Sequence, residues 1–159
     1  MADSASDKMN TPNEQLLTAC KAGTLPPAQQ AVTDGADVNC SDSENGSTPI
    51  MWAIDNQHSA VTEWLLSLET LDVNVNNGKN KSGITTLHYA CWKSDRQDIV
   101  TKVAMLSDNV NETGNNGETP LQGGVERGNA FAVFGLQDVP KVDWKVKDKN
   151  GKSLADIAR

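Results

Sequence analysis

The sequence predicts an all-α solenoid of helix-turn-helix units joined by β-hairpin-like loops, with four units and a partial fifth. Three observations support this fold class. Four glycines recur at intervals of 37, 34 and 34 residues: Gly46, Gly83, Gly117 and Gly151. A hydroxyl residue follows each glycine two positions later: Thr48, Thr85, Thr119 and Ser153. A short valine-centred segment precedes each glycine, and a fixed period of this kind is typical of stacked repeats.

The loops between units are expected to be hairpin-like. Asn-Gly pairs stand at 45–46, 116–117 and 150–151, and glycine supplies the positive φ angle that a tight turn requires. Trp144, in the last loop, is either a surface contact or a packing residue beneath the loop. The valine-centred segments are Asp37-Val38-Asn39, Asp72-Val73-Asn74, Asn109-Val110-Asn111 and Lys141-Val142-Asp143.

Two short helices are expected after each turn. The hydroxyl residue caps the first helix, and proline at 49 and 120 suits the first helical position, where a missing N–H costs nothing. The second helix follows a break near Gln57, Ser94 or Gly128 and carries apolar residues at helical spacing, such as Val61 and Leu65.

These motifs resemble the ankyrin repeat, whose T-P-L-H-x-A signature and period of about 33 residues recur here. The matching segments are Gly-Ser-Thr-Pro-Ile at 46–50, Gly-Ile-Thr-Thr-Leu-His-Tyr-Ala at 83–90, Gly-Glu-Thr-Pro-Leu at 117–121 and Gly-Lys-Ser-Leu-Ala at 151–155. The resemblance extends over residues 13–159, after a flexible polar tail at 1–12. The expected units are about 13–42, 43–79, 80–113 and 114–147, with a partial unit at 148–159.

Three glycines in the fourth unit depart from the family pattern. Gly123 and Gly124 stand where the first helix normally has an apolar residue and alanine, and Gly135 lies in the second helix. Glycine in a helix interior costs about 0.5–1 kcal/mol relative to alanine. We therefore predict that residues 121–139 are the least stable part of the array.

The partial fifth unit resembles the start of a terminal repeat without its second helix. A solenoid needs a polar cap over its last apolar face. Either the natural protein continues beyond Arg159, which is the interpretation we favour, or Leu154 and Ile157 form a minimal cap on the fourth unit.

Composition argues against several classes of function. The net charge of −7 disfavours a protein that grips a nucleic-acid backbone, because that task requires an excess of lysine and arginine. No segment approaches the roughly 18 apolar residues of a membrane span, and the N-terminus lacks the apolar stretch of a signal peptide. The three cysteines form no CxxC pair, so neither a disulfide framework nor a zinc site is indicated. We expect a monomeric cytoplasmic protein, with access to the nucleus left open.

Neither catalysis nor a bound cofactor is expected. Cys91 and His88 are three residues apart on one predicted helix, a spacing that could place a base beside a thiol. The resemblance implies instead that the histidine bonds to the turn and that the cysteine fills a small buried position. No third orienting group is evident, and histidines and cysteines do not cluster at metal-ligand spacing. Gln122 replaces the histidine in the fourth unit.

The resemblance implies that a partner protein binds to two surfaces. Ankyrin arrays resemble a cupped hand, in which the first helices form the palm and the hairpin tips form the fingers. The expected palm residues are Asp55, Asn56, Trp92, Lys93, Glu126 and Arg127. The expected finger residues are Lys81, Ile84, Asn115, Glu118 and Lys149.

Trp92 is the palm residue of greatest interest. A tryptophan beside Lys93 is typical of a binding hot spot, and the alternative is that its ring packs over a neighbouring helix. Both interpretations stay open on the sequence alone. Trp52 and Trp64 fall on core positions.

Charge is distributed unevenly along the chain. Residues 1–78 contain 11 acidic residues and two lysines, whereas residues 79–159 contain 10 acidic and 12 basic residues. A partner with an acidic segment would therefore be steered to the second half. The alternative is that the lysines on turns only keep the loops solvated.

The sequence thus predicts a non-catalytic protein-interaction module that acts as an adaptor or as an inhibitor of its partner. The alternative is a regulatory or targeting ankyrin domain of a larger enzyme or multidomain protein. Extending the reading frame past Arg159 distinguishes the two.

Overall fold

The computed structural model describes residues 10–159, without the side chains of residues 76 and 77. Residues 1–9 of the expected tail lie outside the described residues, and the first helix already begins at Pro12. The described part of the chain forms nine α-helices and no strands: α1 Pro12–Ala22, α2 Leu25–Thr33, α3 Pro49–Asp55, α4 Ser59–Leu66, α5 Thr86–Lys93, α6 Gln97–Leu106, α7 Pro120–Glu126, α8 Ala130–Leu136 and α9 Leu154–Ile157. A 3-10 turn at Val75–Gly78 interrupts one loop.

The helices stack in two layers, which confirms the expected all-α solenoid. The odd-numbered helices α1 to α9 pack one on the next in the first layer, and the even-numbered helices α2 to α8 do so in the second. The pairs α1–α2, α3–α4, α5–α6 and α7–α8 also pack across the layers. Each helix is therefore stabilised by its partner and by its neighbours along the stack.

The predicted caps are present at the start of the first helices. Thr48, Thr85 and Thr119 each accept a hydrogen bond from the backbone N–H three residues later. Ser153 caps α9 in the same way. Thr11 caps α1 and completes a capping box with Glu14, so the same local chemistry starts the array.

The predicted turns are also confirmed. Gly46 has φ 74° and Gly117 has φ 80°, the left-handed region that glycine adopts without strain. Backbone hydrogen bonds of 2.8–3.0 Å close four hairpin loops at 42–47, 80–84, 114–118 and 148–152. These four loops are the fingers of the array.

An asparagine ladder joins consecutive loops behind the fingers. The side chain of Asn39 donates to the carbonyl of Thr70 at 2.8 Å and accepts from the N–H of Asp72 at 2.8 Å. Asn13 of α1 accepts from Asp37 at the start of the ladder. The same two bonds recur twice, from Asn74 to Leu106 and Asp108, and from Asn111 to Lys141 and Asp143.

The ladder corrects the register expected for the last loop. In each earlier loop, the first residue of the valine-centred segment accepts a hydrogen bond from the N–H two residues later. In the last loop, Asp143 makes this bond with Lys145. The equivalent segment is therefore 143–145, not 141–143. Trp144, 41% exposed, takes the position at which Val38 and Val73 are buried.

The hydrophobic core runs along the boundary between the two layers. Ile50, Leu87 and Leu121, each two residues after a cap, are buried on the first helices. Leu65, Val103 and Leu136 are buried at equivalent positions of the second helices. Since every pair repeats this contact, apolar burial is distributed along the stack.

Candidate functional site

The palm is built from the ends of α3, α5 and α7. Because each helix starts at a cap, residues at equal distance from the caps occupy equivalent positions. Asp55, Trp92 and Glu126 lie seven residues after their caps. The adjacent position is occupied by Asn56, Lys93 and Arg127, all exposed.

Trp92 lies half-buried over the neighbouring helix α7, so its ring packs between two repeats while part of it stays exposed. Its Nε1 donates to Glu118 Oε1 at 3.1 Å, and the guanidinium of Arg127 lies 4.2 Å from the ring centroid. Arg127 also pairs with Glu118 at 2.9 Å. The rings of His88 and Tyr89 contact the indole edge-on. Trp92, Glu118 and Arg127 form what we call the Trp92 cluster.

Gly123 makes room for this cluster. A Cβ at this position would overlap both Trp92 Nε1 and Glu118 Oε1. The hydrogen bond between these two side chains therefore requires a residue without a side chain in α7. Nothing near Gly123 in the sequence signals this, because Trp92 comes from the preceding repeat.

The other two glycines of the fourth pair serve close packing between helices. A Cβ on Gly124 would come within 2.6 Å of Ala132 Cβ, and one on Gly135 within 2.7 Å of Val100 Cβ. Backbone and short side chains occupy the space that alanine would need. Helix propensity alone therefore misses the role of these glycines, and the low stability expected for residues 121–139 stays a prediction.

Two further ion pairs lie at the palm, one between neighbouring helices and one between a helix and the first finger. Lys93 Nζ lies 3.6 Å from Asp55 Oδ1. At the start of the array, Lys21 pairs with Asp42 at 2.6 Å and lies 4.4 Å from the centroid of the Trp52 ring. The hydrogen bond from Lys21 holds the pKa of Asp42 below its ordinary value. Charged side chains of the palm are thus partly neutralised by partners in a neighbouring helix or finger.

The expected finger residues differ in how far their side chains are held by neighbouring groups. Lys81 donates to the carbonyl of Ser43 at 2.6 Å, so its ammonium is held on the preceding finger. Asn115 packs against Gly83, where a Cβ would overlap its side chain. Ile84 is half-buried. These contacts make the fingers a continuous surface.

Glu126 and Lys149 come together at a cavity between the last two fingers. The cavity has a volume of about 220 Å³ and is also lined by the buried Gln122. Gln122 Nε2 and Trp52 Nε1 are buried side-chain nitrogens without a hydrogen-bond partner among the described residues. In the sequence, this cavity is signalled by Gln122, which occupies the repeat position that His88 occupies in the preceding repeat.

His88 and Cys91 are arranged for packing. Both are fully buried, and the two ring nitrogens of His88 are engaged with Thr85 and with the carbonyl of Glu118. Burial raises the pKa of the Cys91 thiol and lowers the pKa of His88. A raised thiol pKa opposes formation of the nucleophilic thiolate, so this geometry does not activate the cysteine.

Neither a membrane-spanning helix nor a metal-ligand cluster is present in the described residues. Within 10–159, no helix combines the length and apolar character needed to cross a bilayer. In the same part of the chain, no three His, Cys, Asp or Glu side chains come together as a metal site requires.

Comparison with protein families identifies the repeats. A family model described as ankyrin repeats, in three copies, matches residues 16–112. No curated protein matches the sequence. Proteins of the matched family are generally protein-interaction modules and are typically non-catalytic.

Proposed function

Because this chain belongs to the ankyrin repeat family, we propose that it is a monomeric, non-catalytic adaptor or competitive inhibitor that binds one partner protein through its palm and fingers. Membership of the family supports the binding of a protein. The Trp92 cluster is the observation that supports the palm as the binding surface.

The Trp92 cluster has the chemistry of a binding hot spot. Tryptophan and arginine are enriched among residues that dominate binding energy. Here Glu118 fixes both of them, through the bonds to Trp92 Nε1 and to the Arg127 guanidinium. Side chains already held in one conformation lose little entropy when a partner binds. A partner would therefore find a rigid, partly exposed aromatic and cationic surface at the centre of the palm.

Charge supports a partner that carries an acidic segment. Lys93 is exposed, and its pair with Asp55 is a surface ion pair, a kind worth about 0–1 kcal/mol. An acidic segment that runs along the second half of the array would meet the Lys93 ammonium group on the palm, away from the carboxylates that surround Lys149, and its association would weaken as salt is added.

Affinity capture from the native cell tests the palm assignment. We expect Trp92→Ala and Lys93→Glu to reduce capture of the partner by about tenfold or more, since each change removes a central contact. Lys102→Glu is the matched control, because Lys102 is exposed on the second-helix layer. Capture that is unchanged by both palm variants, or lost equally with Lys102→Glu, would contradict the assignment.

A second candidate function is that of a targeting or regulatory domain within a larger protein. One observation favours it: Phe131 and Phe134 of α8 are 43% and 54% exposed. Apolar surface of this kind is commonly covered by another domain or protein. A transcript that encodes several hundred further residues supports this candidate, and a stop codon soon after Arg159 contradicts it.

A further inference from the structure

The Gln122 side chain makes one of the two hydrogen bonds that His88 makes at the equivalent position of the preceding repeat. It lies three residues after the cap of α7, as His88 does after the cap of α5. His88 accepts from the N–H of Thr85 and bonds through Nε2 to the carbonyl of Glu118 in the next finger at 2.9 Å. Gln122 Oε1 reproduces the first bond, accepting from Thr119 at 2.9 Å. Its Nε2 makes no bond within the described residues, although the atom is buried.

The cavity of about 220 Å³ lies between Gln122 and the last finger. A buried donor without an acceptor is unfavourable, because the hydrogen bond that it made to water in the unfolded chain is not replaced. A ligand that brought an acceptor to Gln122 Nε2 would remove this penalty. The cavity is large enough for one small side chain, and fingers 114–118 and 148–152 form its walls.

The charges around the cavity restrict the ligand. Glu118, Glu126 and Asp148 line it, against a single ammonium group from Lys149. The Glu118 carboxylate is already bonded to Trp92 and Arg127 within the Trp92 cluster. The Asp148 carboxylate accepts hydrogen bonds from the backbone N–H groups of its own finger. The side-chain carboxylate of Glu126 makes no ion pair or hydrogen bond within residues 10–159, so it remains available as an acceptor.

These groups require one acceptor and one donor from the same ligand. A carboxylate supplies an acceptor but is repelled by three carboxylates, and a lysine or arginine side chain has no acceptor for Gln122. A hydroxyl group has to accept and donate through one oxygen, whereas a carboxamide does so through two separate atoms, because its oxygen accepts and its NH2 donates.

We propose that this cavity, the Gln122 pocket, binds a carboxamide of the partner, with its oxygen on Gln122 Nε2 and its NH2 on Glu126. The carboxamide comes from a glutamine or asparagine side chain, because a backbone peptide group has a single N–H and no NH2. The inference rests on the proposed function for the identity of the partner as a protein. The inference adds one specific contact to the proposed binding surface, namely the carboxamide of the partner in the Gln122 pocket.

Access to Gln122 Nε2 requires the last finger to move outward. That finger is followed by α9, none of whose residues is fully buried. Asn111 holds the loop before this finger, whereas on its other side the finger is joined to this short helix, which has no buried residue. A small displacement of the finger on that side admits the ligand.

Titration with small amides tests the pocket without the partner. The probe is N-acetyl-glutamine N-methylamide, followed by the NMR signals of the Gln122 side-chain NH2. We expect a saturable shift, weakened about tenfold in Glu126→Ala through loss of one hydrogen bond. The alanine analogue keeps the peptide groups but lacks the side-chain carboxamide, and the glutamate analogue tests charge repulsion. No response to the glutamine probe, or an equal response to either analogue, would overturn the proposal.

Gln122→His provides the structural test. Its imidazole would reach the carbonyl of Lys152 in the last finger, as His88 reaches Glu118, and close the pocket. We expect a higher thermal midpoint together with loss of probe binding. A variant that binds the probe as well as the original chain overturns the proposal. If Trp92→Ala abolishes partner capture while the probe fails to bind, only this inference fails and the proposed function stands.

Discussion

At the scale of single residues, Gly123 and Trp92 depend on each other. Helix propensity favours alanine over glycine by about 1 kcal/mol. The overlap that a methyl group would create with Trp92 Nε1 opposes this preference. We predict that Gly123→Ala lowers the free energy of unfolding by about 1–3 kcal/mol, measured by urea denaturation.

The same substitution in a Trp92→Ala background is the control for this prediction. Without the indole, the flexible Glu118 side chain can move aside, and Gly123→Ala should raise the free energy of unfolding by about 0.5–1 kcal/mol. Equal destabilisation in both backgrounds would show that Trp92 is not the cause.

His88 makes stability depend on pH. Burial lowers its pKa in the folded state, while the unfolded value is about 6.5. The unfolded chain therefore binds more protons between these two values, and the stabilisation is present above about pH 6.5 and is lost as pH falls through the folded pKa. We predict that lowering the pH from about 7.5 to about 5.5 reduces the urea midpoint of the original chain more than that of His88→Gln. Parallel pH profiles would contradict this assignment.

At the scale of structural elements, the asparagine ladder attaches each loop to the next. We predict that Asn74→Ala lowers the free energy of unfolding by about 1–2 kcal/mol, because it leaves the carbonyl of Leu106 and the N–H of Asp108 without their partner. Lys145→Ala, at the equivalent position of the last loop, should change it by less than about 0.5 kcal/mol. Comparable losses in the two variants, measured by urea denaturation, would exclude the ladder as the cause.

The elements that could be predicted from sequence are those whose chemistry is local. Thr48 and Gly46 specify a cap and a turn through bonds to residues a few positions away, so their pattern is readable along the chain. The register predicted for the last loop was wrong because Val142 has the residue type of the buried Val38 and Val73. The register depends instead on the hydrogen bond that Asp143 accepts from the N–H of Lys145. The role of Gly123 and the position of Trp92 over α7 depend on contacts between repeats, which a linear pattern does not contain.

At the scale of the whole molecule, stability is expected to fall toward the last helices. Phe131 and Phe134 leave apolar surface exposed on α8, and α9 contains no fully buried residue. We predict faster amide hydrogen exchange in residues 121–139 than in residues 48–68, with α9 faster still. Equal protection of 121–139 and 48–68 would show that close packing at the glycines fully offsets their helix propensity.

The ladder also bears on how such an array grows by duplication. A repeat that contains Asn74 or Asn111 carries both the donor and the acceptor that its successor needs. An inserted copy of residues 80–113 would therefore arrive with its own connector. A copy of the last loop would bring Lys145 instead, whose side chain supplies no acceptor for the following N–H. Gene duplication can lengthen this protein in its middle with the ladder intact, whereas extending the ladder after the last loop would first require a change at position 145.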